Sequence, residues 1–156
     1  MKYTMFGETG MKVSRCCLGA MDFPNRLDYD QAERVVNEAL DNGVHFIDTA
    51  DSYKNSEEIL GKILTPEKRE KVFLATKAHR RYCRNERLGR ASRVNIINAV
   101  ERSLRLLQTD YVDLYQLHHP DPQTPLPETL AALDLLVKQG KVRYVGVCNH
   151  YAWQMA

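Results

Sequence analysis

The sequence predicts an α/β fold with parallel strands, and three observations carry that prediction. Apolar strand-like runs begin near residues 16, 44, 72, 112 and 142, so they recur every 28 to 40 residues. Amphipathic helical patterns fill the intervals between them. Four of the runs end on groups that can do chemistry: Asp48, Lys77, His118 and Asn149. Strand–helix repetition of this kind implies parallel strands joined by right-handed crossovers. Parallel strands point their carboxyl ends at one face, where chemistry sits in such folds.

The elements follow in order. Tyr3–Phe6 and Lys12–Ser14 flank Glu8-Thr9-Gly10 and read as a short hairpin. Cys16–Met21 reads as the first buried strand. Asp28 with Gln31 three residues on is a capping-box start. Ala32, Val35, Val36, Ala39 and Leu40 then follow at helical spacing, and Gly43 closes the helix. Val44–Ile47 is the second strand, running into Asp48 with Tyr53 five residues later. A helix opening near Ser56 presents Ile59, Leu60, Ile63 and Leu64, and Pro66 is expected to stop it.

Val72–Thr76 is the third strand, ending at Lys77. Residues 78–91 form a longer, Arg-rich connection, after which Ser92 caps a helix carrying Ile96, Ile97, Val100, Leu104 and Leu107 inward. Tyr111–Leu117 is the fourth strand, ending at His118. Pro127 suits a first helical position, and Leu130, Leu133, Leu136 and Val137 form that helix's inner face. Val142–Val147 is the fifth strand, ending at Cys148-Asn149, and a further helix begins around Tyr151.

Composition narrows the function. The chain has 156 residues, 44% of them apolar, which is one domain's length and enough for a sizeable core. A net charge of +2 gives no strong pull toward nucleic acid or an anionic membrane. Six arginines between residues 79 and 93 would suit a nucleic-acid patch, but the balanced total charge favours a solvated loop that folds over the site. No apolar run reaches membrane-span length and the N-terminus has no apolar signal core, so a cytoplasmic protein is expected. Cys16, Cys17, Cys83 and Cys148 form no C-x-x-C pair and read as buried, reduced thiols. His118, His119, His150 and Cys148 lack metal-ligand spacing, adjacent histidines on a strand diverge, and no metal is expected; His119 reads as a rim residue.

The strand-end groups suggest a mechanism. A tyrosine, with an ordinary pKa near 10, is a poor proton donor at neutral pH. A neighbouring Lys77 ammonium would favour the phenolate of Tyr53, and Asp48 would hold Lys77 in place. His118 would orient a carbonyl oxygen or help relay the proton. Such a donor protonates a carbonyl oxygen while a hydride, which only a cofactor can supply, reaches the carbon.

Five motifs in register resemble the aldo-keto reductase family, and the long, charged connection after Lys77 resembles its bacterial-type branches more than the classical aldose-reductase branch. The motifs are Gly43-x-x-Phe46-Ile47-Asp48-Thr49-Ala50-Asp51-x-Tyr53 with Ser56-Glu57-Glu58-Ile59-Leu60-Gly61; Ala75-Thr76-Lys77; Ser103 through Tyr115; Gln116-Leu117-His118; and Gly140 through Asn149. The resemblance implies a TIM-type (β/α)₈ barrel, of which residues 1–156 are one partial domain: an N-terminal hairpin and the first five strands, without the C-terminal units. It implies reduction of aldehydes or ketones with NADPH, less often NADH. It implies Tyr53 as the acid with Asp48, Lys77 and His118 as partners. Gly19, Ala20, Met21, Asp48, Cys148 and Asn149 would face the cofactor, Cys148 standing where the family usually has serine. A (β/α)₈ barrel takes about 250 residues, so a naturally short form or a fragment is expected. Its open sheet edges would be available to a second copy or a complementing chain.

Overall fold

The computed structural model describes residues 1–78 and 90–155. An antiparallel hairpin, β1 (Tyr3–Met5) and β2 (Lys12–Ser14), precedes a five-stranded parallel sheet. The sheet strands are β3 (Cys17–Gly19), β4 (Phe46–Asp48), β5 (Phe73–Ala78), β6 (Val112–Leu117) and β7 (Val142–Val147). They lie side by side in chain order, every neighbouring pair parallel, as in part of a TIM-type barrel. Among the described residues, β3 and β7 are the edges.

The helices are α1 (Phe23–Arg26), α2 (Tyr29–Asp41), α3 (Ser56–Ile63), α4 (Pro66–Arg69), α5 (Arg93–Leu107), α6 (Leu126–Lys138) and α7 (Ala152–Met155). The expected capping box starts α2: the Asp28 carboxylate accepts from the Gln31 backbone at 2.8 Å, and the Gln31 side chain accepts from Asp28 N–H at 3.0 Å. Gly43, with φ +78°, ends the same helix in a left-handed turn. There Val44 N–H reaches Ala39 O and Gly43 N–H reaches Leu40 O, so the last carbonyls are met. This turn consumes Val44, so β4 starts at Phe46, and pairing with Gly19 and Ala75 carries it on to Asp48.

Other boundaries also move. The first sheet strand is three residues long, and the unexpected α1 follows it. β5 extends to Ala78, so Lys77 lies within the strand. Pro66 opens α4, its ring suiting a helix's first turn, after α3 has already ended at Ile63. The connection after β5 lies largely outside the described residues, with Arg80, Arg81, Arg84, Arg87 and Cys83 in it.

Two apolar layers cover the sheet. The helix side joins Ile47, Leu74, Tyr115 and Leu117 to Val36, Leu60, Ile63, Ile96, Val100, Leu107 and Leu136. The inner side is smaller: Val13, Phe73, Ala75 and Leu114, with Phe6, Phe46 and Tyr144 against them. Phe6 lies within 4.9–6.2 Å of the Phe46, Phe73 and Tyr144 rings, so the hairpin plugs the amino end of the sheet. α3 and α5 meet closely at Gly61, where a Cβ would stand 2.1 Å from Leu106 O. A buried ion pair not anticipated from the sequence, Arg69 to Asp113 at 2.8 Å, ties α4 to β6, and Asp113 also accepts from Leu74 N–H at 2.9 Å.

Six residues expected to be buried are not. Leu130 is 52% exposed, and Val35 and Val137 are each 38% exposed, because the inner stripe of each helix is narrower than its apolar periodicity. Cys16 and Cys17 are exposed and Cys148 is half-buried, since Cys17 lies on the edge strand β3, Cys16 just before it, and Cys148 just past the edge strand β7.

Candidate active site

The carboxyl ends of the strands carry the polar groups. Asp48 is the last residue of β4 and pairs with Gly19 on one side and Ala75 on the other. Lys77 stands next to the end of β5, opposite Gln116. Its side chain is 6% exposed, which obliges the ammonium to find partners. It donates to Asp48 Oδ2 at 2.5 Å and to the Thr49 carbonyl at 2.8 Å. Asp48 Oδ1 has a long contact with Gln116 Nε2 at 3.5 Å.

Tyr53 arrives on the turn between β4 and α3. Its N–H donates to Ala50 O at 3.0 Å, and its carbonyl accepts from Ser56 N–H at 2.9 Å. The half-buried Tyr53 ring is flanked twice. Lys77 Nζ lies 5.2 Å from its centroid, and the buried His118 ring meets it edge-on at 5.6 Å. Asp48, Tyr53, Lys77 and His118 therefore form one cluster, drawn from three strand ends and one turn.

Asn149 joins the cluster by its backbone conformation. At φ +56° it turns the chain after β7, and its Nδ2 donates to His118 O at 2.9 Å. That contact links the tips of β6 and β7. Cys148 lies against it, Nδ2 to Sγ at 3.3 Å. Met21 is exposed at the rim, and Ala20, fully buried, donates its N–H to Asp48 O at 2.8 Å. A Cβ on Gly19 would meet nothing within 4 Å, so the space beside Asp48 is open. His119 is exposed at the rim, as expected, but it does not diverge from His118. The two rings stack at 4.9 Å, because both lie in a bend past the strand.

Charge and burial act on two further groups. The Cys17 thiol is pushed up to about 12, first by removal from water, then by the Asp48 carboxylate, with Lys77 opposing. The residue is accessible from the open inner face, yet this environment keeps its thiol protonated. On the helix side, Glu57 accepts from Thr76 Oγ1 at 2.7 Å, and burial holds its carboxyl above the ordinary range. Tyr115, fully buried, is driven well above its ordinary value by desolvation, then by the Asp51 and Glu57 charges.

The sequence reading assigned no role to Thr49, Ser56 or Gln116. Gln116 has a legible signal, a polar side chain two residues on from Leu114 and so on the same face of β6. Thr49 acts through its carbonyl, which no sequence pattern reveals. Among the described residues no cluster of three or more His, Cys, Asp or Glu could hold a metal ion.

A parallel βα sheet with a carboxylate, an ammonium, a phenol and an imidazole at one end of its strands has the layout of a barrel enzyme's active face. A profile of the aldo/keto reductase family matches residues 15–156, and the chain belongs to that family. It is 42% identical over 168 residues to the uncharacterized oxidoreductase YrpG of Bacillus subtilis, covering 99% of this chain and 51% of YrpG. It is 40% identical to the aldo-keto reductase YhdN of the same organism, covering 99% of this chain and 49% of YhdN. Among solved structures, the holo form of aldo-keto reductase AKR11C1 from Bacillus halodurans superposes with a TM-score of 0.84 at 36% identity. That match covers 94% of this chain and 50% of AKR11C1. The chain spans about half the length of the curated relatives it matches.

Proposed function

We propose that this chain carries the proton-donating half of an NADPH-dependent carbonyl reductase active site, working in the cytoplasm on small aldehydes or ketones. One observation carries the reading: Lys77 Nζ is fixed between the Asp48 carboxylate and the Tyr53 ring, at 2.5 Å and 5.2 Å. In this reading Tyr53 gives its phenolic proton to the carbonyl oxygen. The ammonium favours the phenolate that remains, and the Asp48 carboxylate and Thr49 carbonyl keep that ammonium in place. His118, edge-on to the phenol, orients the carbonyl oxygen.

The residues fit a nicotinamide cofactor. The space beside Gly19 is open, Asp48 borders it, and Asn149 directs its Nδ2 to His118 O, which leaves its amide oxygen to accept from a carboxamide N–H. Gly19, Ala20, Met21, Asp48, Cys148 and Asn149 would line that position. When bound, a reduced nicotinamide supplies the hydride that the carbonyl carbon needs. The preference for NADPH over NADH rests on the family resemblance.

The test is steady-state loss of NADPH absorbance with a generic aldehyde, for this chain and for the protein as its natural gene encodes it. Turnover that Tyr53→Phe abolishes is the expected result. No turnover by either form, or turnover indifferent to Tyr53→Phe, refutes the reading.

A second reading has its own observation. Val145, Val147, Tyr151 and Trp153 are 40–75% exposed beside the edge strand β7. An apolar strand edge of this kind recruits further chain, so the half-barrel would act as a non-catalytic interaction module. Sedimentation of a monomer at micromolar concentration, without binding of an apolar dye, counts against it.

A further inference from the structure

We infer that Ser56 is a positioning residue for Tyr53, acting through a directed relay of two buried hydroxyls; the inference rests on the proposed role of Tyr53. Ser56 is the first residue of α3 and is fully buried. Its Oγ donates to Ala20 O at 2.8 Å. A serine hydroxyl has one hydrogen. Its second contact, 2.8 Å to Thr49 Oγ1, must therefore run the other way, with Thr49 donating. The direction is fixed from Thr49 Oγ1 to Ser56 Oγ to Ala20 O.

Each member also holds part of the cluster. The Thr49 carbonyl accepts from Lys77 Nζ at 2.8 Å. Ala20 N–H donates to the carbonyl of Asp48 at 2.8 Å. Ser56 N–H donates to Tyr53 O at 2.9 Å, closing the turn that carries the phenol. One residue therefore joins all three: Ser56 Oγ ties the end of β3 to the end of β4, and Ser56 N–H closes the Tyr53 turn.

A serine at a helix start usually directs its hydroxyl to its own helix. Here Asn55 takes the cap position without a side-chain cap bond, and the Ser56 hydroxyl crosses to other elements. Helix initiation alone does not account for it. Thr49 and Ala20 are each 0% exposed, so neither meets bulk water if Ser56 Oγ is removed. Losing Ser56 Oγ leaves its N–H bond to Tyr53 O in place but unties the start of α3, and the turn closed on it, from Thr49 and Ala20, so the turn can shift Tyr53 relative to Lys77.

The experiment compares Ser56→Ala, Thr49→Val and Thr49→Ser with a matched control, Ser14→Ala. Ser14 is also a buried bridging hydroxyl. It donates to Cys16 O at 2.7 Å and accepts from the His45 and Phe46 N–H groups at 3.2 Å, but it lies at the other end of β4. The first readout needs no turnover: the NOE between the Tyr53 and His118 rings in the chain itself. The second is kcat, KM and the D2O isotope effect of the active protein.

Ser56→Ala and Thr49→Val are expected to lose the ring NOE and lower kcat about 10- to 100-fold, because small misplacements of reacting groups cost that much. KM should stay within about threefold, since substrate binding is not what the relay supports. The solvent isotope effect should rise as proton transfer becomes more limiting. Thr49→Ser should restore most of both readouts. Ser14→Ala should lower Tm comparably and keep the NOE and kcat.

Retention of the NOE in Ser56→Ala and Thr49→Val, or an equal kcat loss in Ser14→Ala, overturns the inference. If Ser56→Ala does not fold, the Thr49→Val and Thr49→Ser pair decides. If the parent shows no turnover, the proposed reaction fails and the NOE comparison still decides the positioning.

Discussion

Replacing Lys77 by methionine is the most direct perturbation of the cluster. The change keeps an unbranched side chain of similar length and removes the charge. The ammonium lies 5.2 Å from the Tyr53 ring centroid. Two unit charges about 5 Å apart at an effective dielectric of about 20 attract by about 3 kcal/mol. Solvent screening at the half-buried phenol leaves somewhat less than that to favour the charge that develops as the proton leaves. Losing the ammonium should lower kcat about 100-fold, with KM little changed, because the interaction matters only as the proton leaves. Stability should respond in the opposite order to intuition. Asp48 is 27% exposed on its side chain and can take up water once Lys77 is gone. Lys77 is only 6% exposed, so Asp48→Asn strands a buried ammonium and should destabilise by about 3 kcal/mol, more than Lys77→Met. The assay is kcat and KM from nicotinamide absorbance, with urea midpoints for the parent and both variants. A Lys77→Met protein that keeps kcat within about threefold would refute the electrostatic argument. Equal destabilisation by the two variants would refute the burial argument.

Gly61→Ala should cost about 3 kcal/mol in urea unfolding, because its Cβ would stand 2.1 Å from backbone oxygen of α5, which no rotamer relieves. Glu57 gives a pH prediction: its carboxyl titrates above 4.5 when folded and near 4.5 when unfolded. Its contribution to stability is thus fully present below pH 4.5 and is lost as pH rises through the folded value. Glu57→Gln, which keeps an acceptor for Thr76, should be most favourable relative to the parent above that window. A stability difference between the two that does not vary with pH would contradict this. Cys17, held near 12, should be alkylated by iodoacetamide at pH 8 far more slowly than Cys16; equal rates, read by peptide mass, would contradict the shift.

Much of the fold was legible because its signals are local. The Asp28–Gln31 box, the left-handed turn at Gly43 and the Ser92 cap are contacts within a few residues, and all three form as expected. The strand periods located all five sheet strands, with β7 at its expected limits. The failures have physical causes too. β4 starts late because the turn after α2 takes up Val44, and Lys77 falls inside β5 because pairing with Gln116 extends that strand. Leu130 and Val137 satisfy helical periodicity, but periodicity does not say how wide a stripe the sheet will cover. The cysteines mislead for a related reason: an apolar run promises burial only where the sheet continues past it.

The candidate site divides the same way. Asp48, Lys77, His118 and Asn149 could be singled out because each stands at the end of an apolar run, with Tyr53 a few residues past one, and parallel strands must bring such ends to one face. The residues between them could not. Thr49 acts through a carbonyl, Ser56 through a hydroxyl aimed at another strand, and Arg69 through an ion pair with Asp113 on a distant strand. The chain alone thus determined which elements form and which chemical groups stand at their ends, since those follow from short-range patterning. Only the packed structure decided the partners of each group, because hydrogen bonds between residues far apart in the chain exist only once the sheet has set their distances.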